Sequence, residues 1–259
     1  MMHDSAWFAS DKRPLCVAHR GACKRAPENT LLAFRIATEL GADAVELDVR
    51  LTSDGVPVIF HDQNMNRLTG KDLSIRSLSL DRVRDLRVGG EPIPTLDEVL
   101  QVLPPHVLVN VEPKSPFNAW SGYNRAVARA VAATIHRHRA EKRCLLSSFD
   151  IRILFWCSVF AHGIPRAYLY EPGLSHRILK PLFYRGLVQI LHPHHSMVDE
   201  KLIHRARLIG YRVNVWTVDD VTEMERFMRM GVDSIISNYP EKFLEVRRRG
   251  QSHSRSQSA

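Results

Sequence analysis

Two histidines and two carboxylates with the spacing of a chemical site stand in the first quarter of the chain. His19 and His61 each follow an apolar run, and Glu46 and Asp48 lie between them on an alternating stretch. Residues i and i+2 of a β-strand point to the same side, so the two carboxylates should share one face. Adjacent carboxylates repel unless a cation or a shared proton offsets their charge. The stretch therefore predicts two imidazoles beside a hard-cation site, which suits phosphoryl transfer better than acyl transfer or redox chemistry.

A third carboxylate, Glu112, ends another strand-like run of apolar residues. Three carboxylates without a cysteine favour Mg²⁺ or Ca²⁺ over zinc, and the residue types do not separate these two ions. An imidazole has a reference pKa near ~6.5, which makes His19 and His61 candidates for general acid and base. The alternative is that Glu46 and Asp48 form a solvated strand face, and the third carboxylate counts against it.

The elements that must position these residues alternate between strands and helices. Eight strand-like segments separated by helical ones begin near residues 15, 44, 107, 143, 166, 187, 211 and 232. This alternation over about 250 residues predicts a (β/α)8 TIM barrel, an α/β fold whose chemistry lies at the C-terminal ends of its strands. A doubly wound open sheet is the alternative. It usually carries a glycine-rich loop after the first strand, where this chain has His19-Arg20-Gly21.

A turn and a polar stretch follow the second strand. Residues 52–55 are a turn signal, and residues 56–60 predict a β-hairpin return that brings His61 beside Asp48. Residues 63–94 are polar and poorly periodic, and we interpret them as a small insertion after the second barrel strand.

The domain limits follow from this pattern. The barrel should occupy residues 15–246, between an N-terminal extension, residues 1–14, and a basic tail, residues 247–259. The tail lacks apolar residues and is predicted to be disordered. No apolar run reaches the roughly 18 residues of a membrane span, and the polar N-terminus has no signal-peptide core. Four cysteines without a CxxC pair indicate free thiols and a cytoplasmic protein.

The charge of the chain favours an anionic partner. The formal net charge is +8, which suits a small anionic substrate or an acidic surface. We expect no nucleic-acid binding, because the sequence has no groove-reading module and no interleaving of aromatic and basic residues. His192, His194 and His195 form a cluster after a predicted strand, but Pro193 breaks regular ligand spacing, and we expect no metal there.

Eight short segments follow one another in a specific order. They are His19-Arg20-Gly21, Pro27-Glu28-Asn29-Thr30, Glu46-Leu47-Asp48, Asp54-Gly55, His61-Asp62, Asn110-Val111-Glu112-Pro113-Lys114, Val215-Trp216-Thr217-Val218 and Gly231-Val232-Asp233-Ser234-Ile235-Ile236. Together they resemble the signature of the glycerophosphodiester phosphodiesterases. The likeness runs from about residue 15 to 245, nearly the whole chain.

The resemblance implies a barrel hydrolase that uses a divalent metal. It implies metal ligands Glu46, Asp48 and Glu112, an acid/base pair His19 and His61, and phosphate contacts from Arg20 and Lys114. Trp216, at a strand end, is expected to line the pocket and contact the glycerol. Two positions depart from the family pattern: Pro113 replaces a branched aliphatic residue, and Ser237-Asn238 replaces Thr-Asp, onto which no role is carried.

The leading hypothesis is hydrolysis of a small glycerophosphodiester to an alcohol, such as choline or ethanolamine, and sn-glycerol 3-phosphate. The nucleophile is either water or the 2-hydroxyl of the substrate, which would first give a cyclic phosphate. A lysophospholipase D is the alternative enzyme, with an apolar groove at residues 178–184 for the acyl chain. The alternative of another class is a non-catalytic phosphate-binding or membrane-surface-binding module that uses the basic tail. The oligomeric state stays open.

Overall fold

A computed structural model of the chain describes residues 5–9, 14–116, 122–173 and 186–256. The strands are β1 Leu15–Ala18, β2 Ala44–Leu51, β3 Pro57–Ile59, β4 Arg87–Val88, β5 Glu91–Pro92, β6 Leu108–Pro113, β7 Cys144–Ser148, β8 Arg166–Tyr170, β9 Ile190–Pro193, β10 Arg212–Val215 and β11 Ser234–Ser237. The helices are α1 Ala6–Ala9, α2 Leu31–Leu40, α3 Asn66–Thr69, α4 Leu80–Arg84, α5 Leu96–Val102, α6 Gly122–Arg137, α7 Ile151–Phe160, α8 Glu200–Leu208, α9 Val221–Met230 and α10 Pro240–Ser256.

Parallel strands close a barrel. The order β1-β11-β10-β9-β8-β7-β6-β2 is completed by pairing of β2 with β1, so the described part of the chain contains eight barrel strands. On the outside, described helices lie between successive barrel strands except between β8 and β9, whose connection is only partly described. The closed parallel barrel with its helices confirms the predicted (β/α)8 TIM barrel. Each barrel strand begins within three residues of its predicted start.

The predicted hairpin is also confirmed. Strand β3 runs antiparallel to β2, with Val49 opposite Ile59 and Arg50 opposite Val58. The backbone N–H of Phe60 donates to the carbonyl of Asp48 at 2.9 Å. The return strand therefore delivers the residue after Phe60, which is His61, to the end of β2.

Sequence signals at the helix ends operate as expected. Thr30 caps α2 and Gly41, with φ 92°, ends it in the left-handed conformation that glycine adopts without strain. Thr95 and Glu98 form a reciprocal capping box at the start of α5. Asp150 accepts a hydrogen bond from the backbone N–H of Arg152 at the start of α7.

Apolar side chains pack on both the outer and the inner side of the barrel wall, because successive residues of a strand point to opposite sides. The outer layer fills the space between the strands and the helices. The inner layer fills the lumen at the N-terminal ends of the strands; its buried members are Trp7, Leu15, Val17, Ala44, Leu108, Leu145, Ala167, Ile190 and Ile236.

Trp7 belongs to the N-terminal extension and closes that end of the lumen. Its side chain is 2% exposed, and its Nε1–H donates to the carbonyl of Arg143 at 3.0 Å. The backbone N–H of Ala6 donates to the carbonyl of Lys142 at 2.9 Å. The extension is thus part of the barrel core, which its polar sequence did not indicate.

The insertion has a small core of its own. Its scattered apolar residues pack with the end of the hairpin; the buried members are Val58, Phe60, Met65, Ile75, Val83, Val88 and Ile93. Val83 lies in α4, Val88 in β4 and Ile75 in a short 3-10 helix, and the other members lie in β3 or beside these short elements. The lack of a single period in this segment reflects several short elements around one cluster.

The tail was predicted to be disordered, but the structure has a helix over its first residues. Helix α10 continues to Ser256, and Arg247 Nη1 lies 2.5 Å from Asp43 Oδ2. Phe243, Leu244 and Val246 are buried against the barrel, so the helix enters the tail already anchored. The predicted apolar groove at residues 178–184 lies outside the described residues. Within the described part, no helix is long and apolar enough to cross a membrane.

Candidate active site

The three predicted carboxylates meet at the C-terminal end of the barrel. Strands β2 and β6 are in register, with Asp48 opposite Glu112 and Glu46 opposite Asn110. One oxygen from each of the three carboxylates lies within 4.8 Å of the others, the one such group of metal-binding side chains among the described residues. All three are buried, with Glu46 3%, Asp48 0% and Glu112 6% exposed.

Burial and neighbouring charges shift the pKa values of the three carboxylates. Burial, together with the charges of Asp48 and Glu112, raises the pKa of Glu46 well above its ordinary value. Burial also raises the pKa of Glu112, although Lys114 opposes it. Burial alone would raise the pKa of Asp48, but Lys114 and Arg20 together hold it well below its ordinary value.

The two predicted cations lie against this group. Lys114 Nζ is 2.8 Å from Asp48 Oδ1 and 2.5 Å from Glu112 Oε1. Arg20 Nε lies 3.2 Å from Asp48 Oδ2, and Arg20 Nη1 lies 2.9 Å from Glu28 Oε1. The departure at Pro113 therefore leaves the ammonium of the next residue directed into the cluster.

In the tight turn after β1, Arg20 contacts the carboxylate cluster through both its backbone and its side chain. Arg20 has φ 54°, and its backbone N–H donates to Glu46 Oε2 at 3.0 Å while its guanidinium reaches Asp48. Gly21 follows with φ 79°, and a Cβ at Gly21 would lie 2.7 Å from the carbonyl carbon of Ala33. Only glycine fits both the left-handed conformation and this close approach.

Asn29 is a site residue to which no role was assigned from the sequence. Its Nδ2 donates to Asp48 Oδ2 at 2.8 Å, and its Oδ1 accepts from the backbone N–H of Asp48 at 3.3 Å. This pair of bonds holds the carboxylate of Asp48 from behind. The position after Glu28 in the Pro27–Thr30 motif was the available signal.

His19 is held by two residues that the motifs did not assign. Asn238 Nδ2 donates to Asp219 Oδ2 at 2.7 Å, so Asn238 Oδ1 faces His19 and accepts its Nδ1–H at 2.7 Å. His19 Nε2 then lies 3.9 Å from Glu46 Oε2. Burial, followed by the charge of Arg20, lowers the pKa of His19 to about 4.

His61 has a different partner. Its Nδ1 lies 2.6 Å from Asp62 Oδ1, and its backbone carbonyl accepts from Arg50 Nε at 2.8 Å. Burial lowers the pKa of His61, while Asp48 acts in the opposite direction. The hairpin thus places the second imidazole on the Asp48 side of the cluster, as the sequence predicted.

The carboxylate cluster fits a hard divalent cation. Its donors are all oxygens, as Mg²⁺ and Ca²⁺ prefer, and the carboxyl groups of Glu46 and Glu112 are crowded beside Asp48 in a buried space. Glu46 Oε1 is buried and accepts no hydrogen bond from the described residues. A cation at this position would supply the missing partner and offset the repulsion that raises the pKa of Glu46.

The remaining predicted residues lie on the opposite side of the lumen. Trp216 is partly buried, its Nε1–H donates to the carbonyl of His192 at 2.7 Å, and its ring packs edge-on against Phe149. His192 points into the barrel, where its Nε2 lies 2.9 Å from Asn214 Nδ2. His194 and His195 pack on each other at the rim. The three histidines do not converge on one point.

Fold and site together define a TIM-barrel enzyme with a buried acidic site flanked by two cations and two histidines. The model of the glycerophosphoryl diester phosphodiesterase family matches residues 19–242, and the chain belongs to this family. The resemblance found in the motifs is thereby confirmed.

Individual relatives support the same assignment. The glycerophosphodiester phosphodiesterase of Caldanaerobacter subterraneus subsp. tengcongensis is 34% identical over 250 residues, covering 92% of this chain and 99% of the relative. An Oleispira antarctica phosphodiesterase in complex with the product sn-glycerol-3-phosphate has a TM-score of 0.80 and 29% identity, covering 90% of this chain and 96% of that chain. A glycerophosphodiester phosphodiesterase from Thermotoga maritima has a TM-score of 0.75 and 28% identity, covering 90% and 98%.

Proposed function

We propose that the chain hydrolyses small glycerophosphodiesters to an alcohol and sn-glycerol 3-phosphate. The observation that carries this proposal is the convergence of three buried carboxylates, one oxygen from each lying within 4.8 Å of the others, with Lys114 and Arg20 against them. The similarity to an enzyme in complex with sn-glycerol-3-phosphate supports the choice of substrate class.

A bound cation and the two basic side chains at the cluster would bind the phosphate of the substrate by their positive charge. Glu46, Asp48 and Glu112 would bind Mg²⁺ or Ca²⁺, which supplies charge neutralisation at the phosphoryl oxygens. Arg20 and Lys114 would contact the same oxygens and stabilise the charge that develops on them in the transition state. The Trp216 ring would line the pocket beside the glycerol.

The hydrogen bonds of the two histidines support opposite roles for them in the reaction. Asn238 accepts from His19 Nδ1–H, which leaves the Nε2 lone pair to take a proton from the nucleophile. Asp62 on His61 Nδ1 stabilises an imidazolium, so Nε2–H of His61 would protonate the leaving alcohol. Either water or the 2-hydroxyl of the substrate can be the nucleophile in this arrangement.

Two alternatives remain as outcomes of a substrate panel. A lysophospholipase D would need an acyl groove, which was predicted at residues 178–184, outside the described residues. A phosphate-binding or membrane-surface-binding module would bind anionic vesicles and turn over no diester. A cytoplasmic location stays a prediction; the four cysteines are free thiols.

The deciding experiment combines a coupled glycerol 3-phosphate assay over a panel of glycerophosphodiesters with an assay of choline release from lysolipids. We expect EDTA to abolish turnover and Mg²⁺ or Ca²⁺ to restore it. Glu46→Gln should lose activity, whereas Glu141→Gln, a carboxylate on the outer surface, should not. Full turnover in EDTA would remove the metal from the proposal, and faster turnover of a lysolipid would favour the lysophospholipase.

A further inference from the structure

Arg67 is a residue of the insertion that reaches the active site. It lies in α3, outside the barrel, and its guanidinium spans two carboxylates. Nε donates to Asp62 Oδ2 at 2.6 Å, Nη2 donates to Glu28 Oε1 at 2.6 Å, and Nη1 donates to Glu28 Oε2 at 3.2 Å. Each of the three nitrogens of the planar fork therefore donates a hydrogen bond.

Both carboxylates lead directly to site residues. The other oxygen of Asp62 is 2.6 Å from His61 Nδ1. Glu28 Oε1 also accepts from Arg20 Nη1 at 2.9 Å, and Arg20 in turn contacts Asp48. Arg67 thus joins the acid/base side of the site to the phosphate side.

Asp62 depends on Arg67 for its orientation more than Glu28 does. Asp62 Oδ2 has Arg67 as its side-chain partner in the described structure, and Asp62 Oδ1 has His61. Without the guanidinium, one end of the carboxylate is free and the group can rotate about its own axis. Glu28 would keep Arg20, so the larger disturbance should fall on His61.

Stability is a poor explanation for this network. The side chain of Arg67 is 49% exposed and that of Asp62 is 22% exposed, and ion pairs this close to solvent contribute little to folding. Hydrogen bonds to Glu28 and then Asp62 raise the pKa of Arg67 above its ordinary value, so the fork stays charged. Bidentate geometry instead fixes direction, which an ammonium cannot do for two carboxylates at once.

We propose that Arg67 is a positioning residue that holds Asp62, and through it the imidazole of His61, in the orientation needed to protonate the leaving alcohol. This inference rests on the proposed phosphodiesterase activity and extends it to the insertion. The insertion then has a function in the reaction: it supplies the outer support of one acid/base residue.

The test compares Arg67→Met with Arg84→Met. Arg84 lies in α4 of the same insertion, is 55% exposed and pairs with Glu98 at 3.3 Å, away from the site. Both variants lose one positive charge of the insertion; Arg67→Met loses its ion pairs with Glu28 and Asp62, and Arg84→Met loses its ion pair with Glu98. We expect Arg67→Met to lower kcat by about 10- to 100-fold with KM changed less than threefold, because partners of this kind orient the reacting group. Arg84→Met should keep wild-type kcat, and both should melt near the wild type.

Two further arms separate positioning from charge. Arg67→Lys keeps the charge but not the fork, so it should lose nearly as much kcat as Arg67→Met. A nitrophenyl diester, whose leaving group needs no proton, should be turned over by Arg67→Met at close to the wild-type rate. Wild-type kcat on a choline or ethanolamine diester in Arg67→Met, or equal losses on both substrate types, would overturn the inference.

An arm without substrate keeps the inference testable if the proposed activity fails. Imidazole ¹H–¹⁵N spectra should show a slowly exchanging Nδ1–H of His61 in the wild type and in Arg84→Met, and fast exchange in Arg67→Met. An unchanged His61 signal in Arg67→Met would overturn the positioning role. If the wild type turned over no diester but the spectral change were present, the proposed activity would be disproved and the positioning of His61 by Arg67 would not.

Discussion

Glu46 and Asp48 are two positions apart on one strand, yet their pKa values move in opposite directions. Glu46 faces two other carboxylates inside a buried space, so its pKa rises. Asp48 is equally buried but lies between Lys114 and Arg20, so its pKa falls. One strand face therefore carries a carboxylate that a cation would help to ionise and another that already stays charged.

The acid/base pair gives the first prediction at this scale. His19→Ala and His61→Ala should each lower kcat by about 10²–10⁴-fold, which corresponds to about 3–5 kcal/mol of barrier. Both residues follow strand ends, so their loss should leave the melting temperature near the wild type. The double variant should lose less than the product of the single losses, because both act on one transition state.

A nitrophenyl diester distinguishes the two single variants. It should restore turnover in the variant that lacks the acid, which we propose to be His61, and not in the other. Near-wild-type turnover of a natural diester by either single variant would remove that histidine from the mechanism.

His192 gives a second prediction, on stability. Burial lowers its pKa to about 3, whereas the unfolded chain binds this proton near ~6.5. Below pH ~6.5 the unfolded state takes up a proton that the folded state excludes, so stability falls by about 1.4 kcal/mol per pH unit. The loss continues until the pH reaches the folded pKa.

Urea unfolding at pH 6.5 and 5 tests it. Between these values the wild type should lose about 2 kcal/mol more than His192→Gln. His162→Gln, at an exposed position, controls for removal of a histidine as such. Equal losses in the wild type and in His192→Gln would show that the interior accepts the charged imidazole.

At the scale of the elements, short local signals determine where helices begin. The capping box of α5 satisfies two backbone donors at once: Thr95 Oγ1 accepts from the N–H of Glu98 at 3.2 Å, and Glu98 Oε2 accepts from the N–H of Thr95 at 2.8 Å. Helix α5 is seven residues long, so its first turn is a large part of it. Its position matters because α5 follows the insertion and leads the chain into the Glu112 strand.

The prediction at this scale concerns that cap. Thr95→Ala should lower the free energy of unfolding by about 1 kcal/mol, since the partly buried backbone N–H of Glu98 loses its partner. Thr95→Ser keeps the oxygen and should recover most of the loss. Chemical denaturation of the three proteins measures the difference, and equal stability of the alanine and serine variants would contradict the role of the hydroxyl.

At the scale of the whole molecule, the two ends of the barrel have different roles. The C-terminal ends of the strands carry the charged site, and the N-terminal ends form an apolar plug in which Trp7 is 2% exposed. Stability and chemistry should therefore respond to different substitutions.

Trp7→Ala tests this division. Removing a buried tryptophan should lower the free energy of unfolding by about 3–5 kcal/mol while kcat at a temperature where the variant is folded stays near the wild type. Trp156→Ala, on the partly exposed face of α7, should cost less. A Trp7→Ala variant with wild-type stability would show that the extension does not pack on the barrel in solution.

Much of this protein could be predicted from local patterns. The barrel follows from the alternation of segments, and the carboxylates share a face because strand residues alternate with a period of two. The hairpin follows from one turn signal, and it accounts for the placement of His61 beside Asp48. These features depend on neighbours within a few residues, so the sequence by itself determines them.

The partners of the site residues depend instead on how distant segments meet. His19 binds Asn238, 219 positions away, because β11 closes the barrel against β1. Arg67 reaches Glu28, 39 positions away, because the insertion folds around its own apolar cluster. No local period encodes such contacts, since each depends on the docking of two elements that the chain separates. Only the tertiary structure decides which side chain orients His19, which residue supports Asp62 beside His61, and which residue closes the far end of the barrel.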